Sequence, residues 1–206
     1  MNYTANESVL VGLTGGIATG KSTVIQYLRE NGYSVIDADK LGHRVLEPGS
    51  YGYQQIVETF GIEIINPDGT VNRPALGKLV FGDLQKLKEL NKISHPIIAE
   101  MIQTEYEKLV ADSVDNIVFL EAALLIEANW HKVCQHIWVV TLDPEIAMLR
   151  LQERDGLNKT EAQARIESQL SPDDRLAYAD VVLKNEGSQE DLIIKTQHAL
   201  QELKQL

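Results

Sequence analysis

Eight consecutive residues, Gly15-Gly16-Ile17-Ala18-Thr19-Gly20-Lys21-Ser22, follow the spacing G-x-x-x-x-G-K-[ST]. Glycines at this spacing let successive backbone N–H groups turn inward around an anion, and a helix starting at Lys21 adds the positive end of its dipole. In such a loop the lysine reaches the β and γ phosphates of a nucleotide and the Ser22 hydroxyl can ligate Mg²⁺. The residues expected to bind the nucleotide here are Gly16, Ala18, Thr19, Gly20, Lys21, Ser22 and Thr23. The alternative is a glycine-rich strand-to-helix turn with no ligand. The apolar run before the loop and the amphipathic segment after it supply the context that phosphate binding requires.

Carboxylates and arginines then fall where a phosphate-binding loop can use them. Asp37-Ala38-Asp39 follows a second apolar run, and the C-terminal ends of strands line the ligand crevice of a doubly wound sheet. Asp39 can orient an attacking hydroxyl and accept its proton, and Asp37 can cap the next helix; on spacing alone capping suits either one. Glu121 closes a third run, where it either holds Mg²⁺ through water or merely ends a buried strand. Arg150 and Arg154 lie one helical turn apart, and Arg165 follows beyond Asp155-Gly156. Two hinged helices carrying these arginines describe a lid that sheds water and neutralises a phosphoryl group in transfer. The plainer reading is a solvated face with Glu153 and Glu161 as acidic partners.

To place these groups the chain needs a parallel sheet. Five apolar runs read as strands: Val9–Leu13, Tyr33–Ile36, Ile117–Leu120, His136–Thr141 and Asp180–Leu183, with long helical crossovers between them. The first helix is predicted over Lys21–Asn31 with Gly32 as a left-handed cap. From Tyr51 to Asp112 the pattern is mostly helical, with Ile97, Met101 and Leu109 among its apolar positions, turn signals at Asn66-Pro67-Asp68-Gly69 and a short strand pair expected only at the start of the stretch. Thr160 with Gln163 fits a capping box for a helix carrying Arg165 and Gln169, and Ser188 opens a last helix toward Leu206. The fold class is therefore α/β, a P-loop NTPase-type five-stranded parallel sheet flanked by helices. We expect one domain made of a nucleotide core (about 1–48, 113–145 and 177–206), a helical insertion (about 49–112) and a helical lid (about 146–176).

Composition narrows the classes further. The 206 residues are 44% hydrophobic and 24% charged, an ordinary globular mixture large enough for one core. A net charge of -11, with 19 Lys and Arg, argues against nucleic-acid binding, which needs a basic face. No apolar run is long enough to span a membrane, and Met1–Ser8 lacks the character of a signal peptide, so a cytoplasmic location is expected. The lone cysteine, Cys134, precludes an intramolecular disulfide and reads as a packed residue. A monomer is expected, with an oligomer as the alternative.

Taken together the chain resembles the dephospho-coenzyme A kinase family over nearly its whole length. The resemblance rests on Gly12-Leu13-Thr14-Gly15-Gly16-Ile17 with Gly20-Lys21-Ser22-Thr23, Val35-Ile36-Asp37-Ala38-Asp39, Arg44, Asn72-Arg73 and His95-Pro96. It continues in Leu124-Leu125 with Glu127, Arg150 with Arg154, Arg165-Ile166 with Gln169, Ala179-Asp180 and Asn185. It implies transfer of the γ phosphate of ATP, with Mg²⁺, to the ribose 3′ hydroxyl of dephospho-coenzyme A. Asp39 then corresponds to the base, with Lys21 and Arg154 acting in catalysis, and Arg150 and Arg154 belong to the nucleotide-binding lid. The resemblance assigns Asp39, Arg44, Arg73, His95, Glu121, Leu124 and Arg165 to the substrate. Where the family has Asp and Pro this chain has Glu121 and Ala123, and Ala18-Thr19 replace a common Gly-Ser. Two other readings are a nucleoside or nucleotide kinase of the same fold and a non-catalytic nucleotide switch. Against the switch, Asn91-Lys92-Ile93-Ser94 lacks the acidic residue of a guanine-selecting motif.

Overall fold

Short β-branched runs, three of them ending in glycine or a carboxylate, build the sheet. The computed structural model describes residues 8–205, so the reading of Met1–Ser8 as free of a targeting signal falls outside it apart from Ser8, as does Leu206. The strands are β1 (Val9–Gly15), β2 (Ser34–Asp37), β3 (Ile117–Glu121), β4 (His136–Thr141) and β5 (Val181–Lys184), in the order β2-β3-β1-β4-β5. β1 pairs in parallel with β3 and β4, and β4 with β5. Every residue of β1 is buried, as expected of a central strand covered on both faces. Each strand lies within two residues of its predicted span.

The residues pack as two units, one of residues up to Ile36 with Tyr106–Leu206, the other Asp37–Glu105. The first holds the core beneath the loop. Val11 and Leu13 of β1 pack with Phe119 of β3, Trp138 of β4 and the apolar face of α1 (Lys21–Glu30), whose Val24, Ile25 and Leu28 are buried. Phe119 and Trp138 meet edge to face at 5.3 Å, a geometry aromatic quadrupoles favour. As predicted, Gly32 ends α1 in the left-handed region (φ 84°). Its N–H bonds to Arg29 O and that of Tyr33 to Leu28 O, the paired closure that satisfies terminal carbonyls. Cys134 is largely buried, which pushes its thiol up to about 12, so it stays an inert packing residue.

The same unit carries α6 (Pro144–Asp155), α7 (Lys159–Glu167), α8 (Pro172–Leu176) and α9 (Gln189–Leu203). The capping box of α7 is not Thr160 with Gln163 but Asn158 with Glu161, each side chain bonding the other's backbone N–H. Asn158 directly follows the Gly156-Leu157 break, and Asn is the stronger cap, so the helix starts two residues earlier; it ends at Glu167, so Gln169, expected on it, lies just past its end. Ser188 opens α9 as predicted, and the helix ends at Leu203, short of Leu206.

The second unit is helical: α2 (Ala38–Val45), α3 (Tyr51–Phe60), α4 (Arg73–Phe81) and most of α5 (Leu84–Leu109). The strand pair expected at the start of this stretch is not formed, because Ser50 caps a helix over Tyr51–Phe60; one antiparallel bridge, Ile65 with Val71, closes the Asn66–Gly69 turn instead. A 3₁₀ turn over Ile62–Ile64 takes up the residues that a longer ladder would need. On α5 the fully buried positions are Ile98 and Ile102, one residue past the expected Ile97 and Met101, which are half-buried. Among the described residues no helix is long and apolar enough to cross a membrane.

Candidate active site

The glycine loop is held in shape by its own residues and by β5. Thr19 Oγ1 donates to Gly16 O at 2.9 Å, and Asn185, just past β5, donates from Nδ2 to Thr19 O at 2.9 Å. Gly20 has φ 95°, and a Cβ there would lie 2.3 Å from Asn185 Nδ2, so neither the backbone nor the space admits a side chain. Ala18 also adopts a positive φ, 61°, a strained conformation for an L-residue. The loop leads directly into the N-terminus of α1, whose first N–H groups have no intrahelical acceptor.

Around this loop the structure brings together the central part of the expected site. A cavity of about 280 Å³ is lined by Gly15 to Ser22 with Glu121, Ala123, Arg154 and Gln169. It therefore gathers Gly16, Ala18, Thr19, Gly20, Lys21, Ser22, Glu121 and Arg154. Thr23, Leu124, Arg150 and Arg165 do not line it, and Leu124 stands 44% exposed in the turn after β3. Lys21 Nζ lies 3.6 Å from Glu121 Oε1. Glu121 thus delivers its carboxylate to the phosphate loop, which a strand-closing residue in open solvent does not do.

The arginines have a different acidic partner from the one the sequence suggested. Arg154 grips Asp155 with two hydrogen bonds, Nε to Oδ1 at 2.7 Å and Nη2 to Oδ2 at 3.0 Å. Arg165 Nη1 reaches the same Oδ2 at 2.9 Å. The two guanidinium groups hold the Asp155 carboxylate well below its usual range, mainly through the Arg154 hydrogen bond. Glu161, expected as a partner, is instead engaged in the cap of α7. One carboxylate shared by two arginines ties the end of α6 to α7 across the Gly156 break and leaves an excess of positive charge.

In the second unit Asp37 is the cap: its Oδ1 accepts Lys40 N–H at 3.0 Å. Asp39 sits in the first turn of α2, exposed and with no capping role. Arg44, on the same helix, pairs with Glu105 at 3.0 Å. Arg73 is exposed at the first position of α4, capped by Asn72. His95 is half-buried in α5, where desolvation lowers its pKa, and Pro96 follows it inside the helix. Sequence reading gave Arg175 no role and left Glu127, Gln169 and Asn185 as matches of pattern. Long-range hydrogen bonds mark Glu127, Gln169 and Asn185, and burial marks Arg175.

A parallel sheet of this order with a glycine loop, a following lysine and a carboxylate on the neighbouring strand defines a P-loop kinase. The sequence model of the dephospho-CoA kinase family matches residues 9–191. A dephospho-CoA kinase of Dehalococcoides mccartyi is 44% identical over 184 residues, 89% of this chain and 91% of the relative. A Thermus thermophilus protein of known structure superposes with a TM-score of 0.81 at 34% identity, covering 96% of this chain and 99% of its own. A Campylobacter jejuni dephospho-CoA kinase does so at 0.71 and 27%, covering 95% and 96%. The chain belongs to the dephospho-CoA kinase family, and is thereby an ATP-dependent kinase.

Arg154 is mostly exposed, and an exposed pair such as the one it makes with Asp155 adds little to stability. Arg154→Ala should therefore leave the melting temperature nearly unchanged and lower kcat about tenfold or more, since a positioned cation acts on charge that develops in transfer. A calorimetric scan beside a steady-state assay checks this. Wild-type kcat in the variant would remove Arg154 from the catalytic set.

Proposed function

We propose that the chain transfers the γ-phosphoryl group of ATP to the 3′ hydroxyl of the ribose of dephospho-coenzyme A, the last step of coenzyme A synthesis. The observation that carries this reading is the phosphate loop with Lys21 and Glu121 side by side, in a chain whose family match spans residues 9–191. In the reaction the acceptor oxygen forms a bond to the γ phosphorus, the bond from that phosphorus to the β–γ bridging oxygen breaks, and ADP leaves with that electron pair. Asp39 takes the proton of the hydroxyl. The backbone N–H groups of the loop, Lys21 and Arg154 stabilise charge spread over the transferring oxygens, and little else is asked of the protein. Arg44 and Arg73 hold phosphate groups of the substrate. Arg44 is already paired with Glu105 on the surface, an ion pair weak enough to exchange. His95, Leu124 and Arg165 complete the substrate contacts, with residues 49–112 holding the coenzyme and residues 146–176, including Arg150, closing as a lid.

Ser22 and Glu121 offer a hydroxyl and a carboxylate on one cavity, and such hard oxygen donors suit Mg²⁺, which is held by few protein ligands with phosphates and water. Among the described residues no group of three or more His, Cys, Asp or Glu forms a dedicated metal cage. When bound, Mg²⁺ would neutralise charge on the β and γ oxygens. Glu121→Asp should accordingly keep activity and the Mg²⁺ dependence of the rate, because one methylene can be absorbed by a bridging water. Glu121→Ala should need several-fold more Mg²⁺ for half-maximal rate. Three superimposable Mg²⁺ titrations would leave Glu121 as the end of a strand. A cytoplasmic, monomeric enzyme fits this reading.

The acceptor is tested by following ADP release with dephospho-coenzyme A, with AMP and with no acceptor. Release is expected only with the first. Equal release with AMP would favour the nucleotide-kinase reading, and release without acceptor a nucleotide-hydrolysing switch.

A further inference from the structure

Behind the phosphate loop lies a buried charge that the reaction as described does not use. Arg175, on the five-residue helix α8, is 3% exposed. Its nearest counter-charge, Glu127 Oε1, is 4.0 Å from Nη2, beyond hydrogen-bond range. Both Nε and Nη2 are buried with no hydrogen-bond partner among the described residues. A guanidinium so placed contributes little to folding; an apolar side chain of similar volume would cost less desolvation. Burial pulls its pKa below the ordinary arginine value and Glu127 opposes this, yet an arginine stays charged in a protein.

What the charge adjoins is the loop. A Cβ on Gly16 would lie 3.3 Å from Arg175 Nη1, a tight contact that would push the guanidinium back by a few tenths of an ångström, so the charge sits directly against the loop backbone. The next loop residue is held from the same side: Gln169 Oε1 accepts Ile17 N–H at 2.8 Å, across 152 positions of sequence. Glu127 Oε1 accepts Leu170 N–H at 3.3 Å, so one carboxylate serves both the α7–α8 connection and Arg175. Gln169 lines the phosphate cavity, whereas Arg175 lines a separate, small cavity that shares Gly16, Ile17, Thr19 and Gln169 with it. Arg175 thus stands behind the loop, outside the lining of the phosphate cavity.

We infer that Gln169 and Arg175 are positioning residues of the phosphate loop: Gln169 fixes the backbone at Ile17, and Arg175 adds buried positive charge behind Gly16, so that ATP affinity depends on two residues beyond the G-x-x-x-x-G-K-S segment. Charge buried this close is weakly screened by salt and water, so it acts on an anion across the loop without touching it. The same hydrogen bond joins the loop to the chain immediately after α7, so nucleotide binding is coupled mechanically to the α6–α7 pair.

This rests on the loop being the nucleotide site, and the test separates the two. Binding of a non-hydrolysable ATP analogue is measured by calorimetry, with steady-state KM for ATP and for dephospho-coenzyme A, on wild type, Lys21→Ala, Gln169→Ala, Arg175→Met and Arg175→Lys. Arg175→Met should weaken ATP binding about tenfold and Gln169→Ala about threefold to tenfold, the range of one lost hydrogen bond or charge contact. KM for the acceptor should move less than about twofold, and Arg175→Lys should recover most of the loss because it keeps the charge. The Gln169→Ala/Arg175→Met double variant should lose less than the product of the singles, since both act on adjoining loop residues. Gln169 is only half-buried, so Gln169→Ala carries the test if Arg175→Met does not fold. Wild-type ATP affinity in Gln169→Ala and Arg175→Met, with affinity lost in Lys21→Ala, overturns the inference alone. Equal affinity in wild type and Lys21→Ala overturns the loop assignment and the inference with it.

Discussion

Lys21→Ala is expected to lower kcat/KM for ATP by about 10²- to 10³-fold, the scale of removing one preorganised group that stabilises transition-state charge. The side chain stands at the first position of α1, while the packing of that helix rests on Val24, Ile25 and Leu28. Alanine is the better helix former, so the helix should persist. The ion pair removed is the 3.6 Å approach to Glu121, both groups being partly solvated, and an ion pair of that kind adds about 1 kcal/mol or less to stability. Thermal unfolding should therefore be close to wild type while turnover collapses. A folded variant with wild-type turnover would remove the loop from the chemistry.

Asp39→Asn should lower kcat by about 10²- to 10⁴-fold, the typical contribution of a positioned acid-base group, with KM for ATP little changed. The substitution keeps the size of the side chain and removes its ability to take a proton. It should not disturb α2, because the cap is the Asp37 bond to Lys40 N–H. The neighbouring carboxylate supplies the control. Asp37→Ala should destabilise the protein by about 1 kcal/mol through the lost cap, and leave kcat largely intact. A silent Asp39→Asn beside a crippling Asp37→Asn would exchange the two roles.

The difference between Asp37 and Asp39 also shows where sequence reading stops. Two carboxylates two residues apart after an apolar run can each cap the next helix, and only the backbone shows that Asp37 is the cap. The strands, the glycine loop and the Gly32 closure were legible because each is a local signal: β-branched runs, fixed glycine spacing, and a residue free of the Cβ penalty at positive φ. The cap of α7 was misplaced by two residues because Thr160-x-x-Gln163 and Asn158-x-x-Glu161 compete within one turn. Asp155 was read as part of a hinge, and its service to both Arg154 and Arg165 depends on the angle between α6 and α7. Arg175 was illegible altogether. Following Pro172-Asp173-Asp174, it has the local pattern of an exposed charged turn, and its burial is set by Gly16 and Glu127, far away in sequence.

The most direct test is to identify the product. With purified protein, ATP, Mg²⁺ and dephospho-coenzyme A, mass spectrometry should show the acceptor heavier by one phosphoryl group, with one ADP formed for each molecule converted. ³¹P NMR should show a new phosphomonoester on the ribose 3′ oxygen. ADP accompanied by inorganic phosphate and an unchanged acceptor would contradict the assignment.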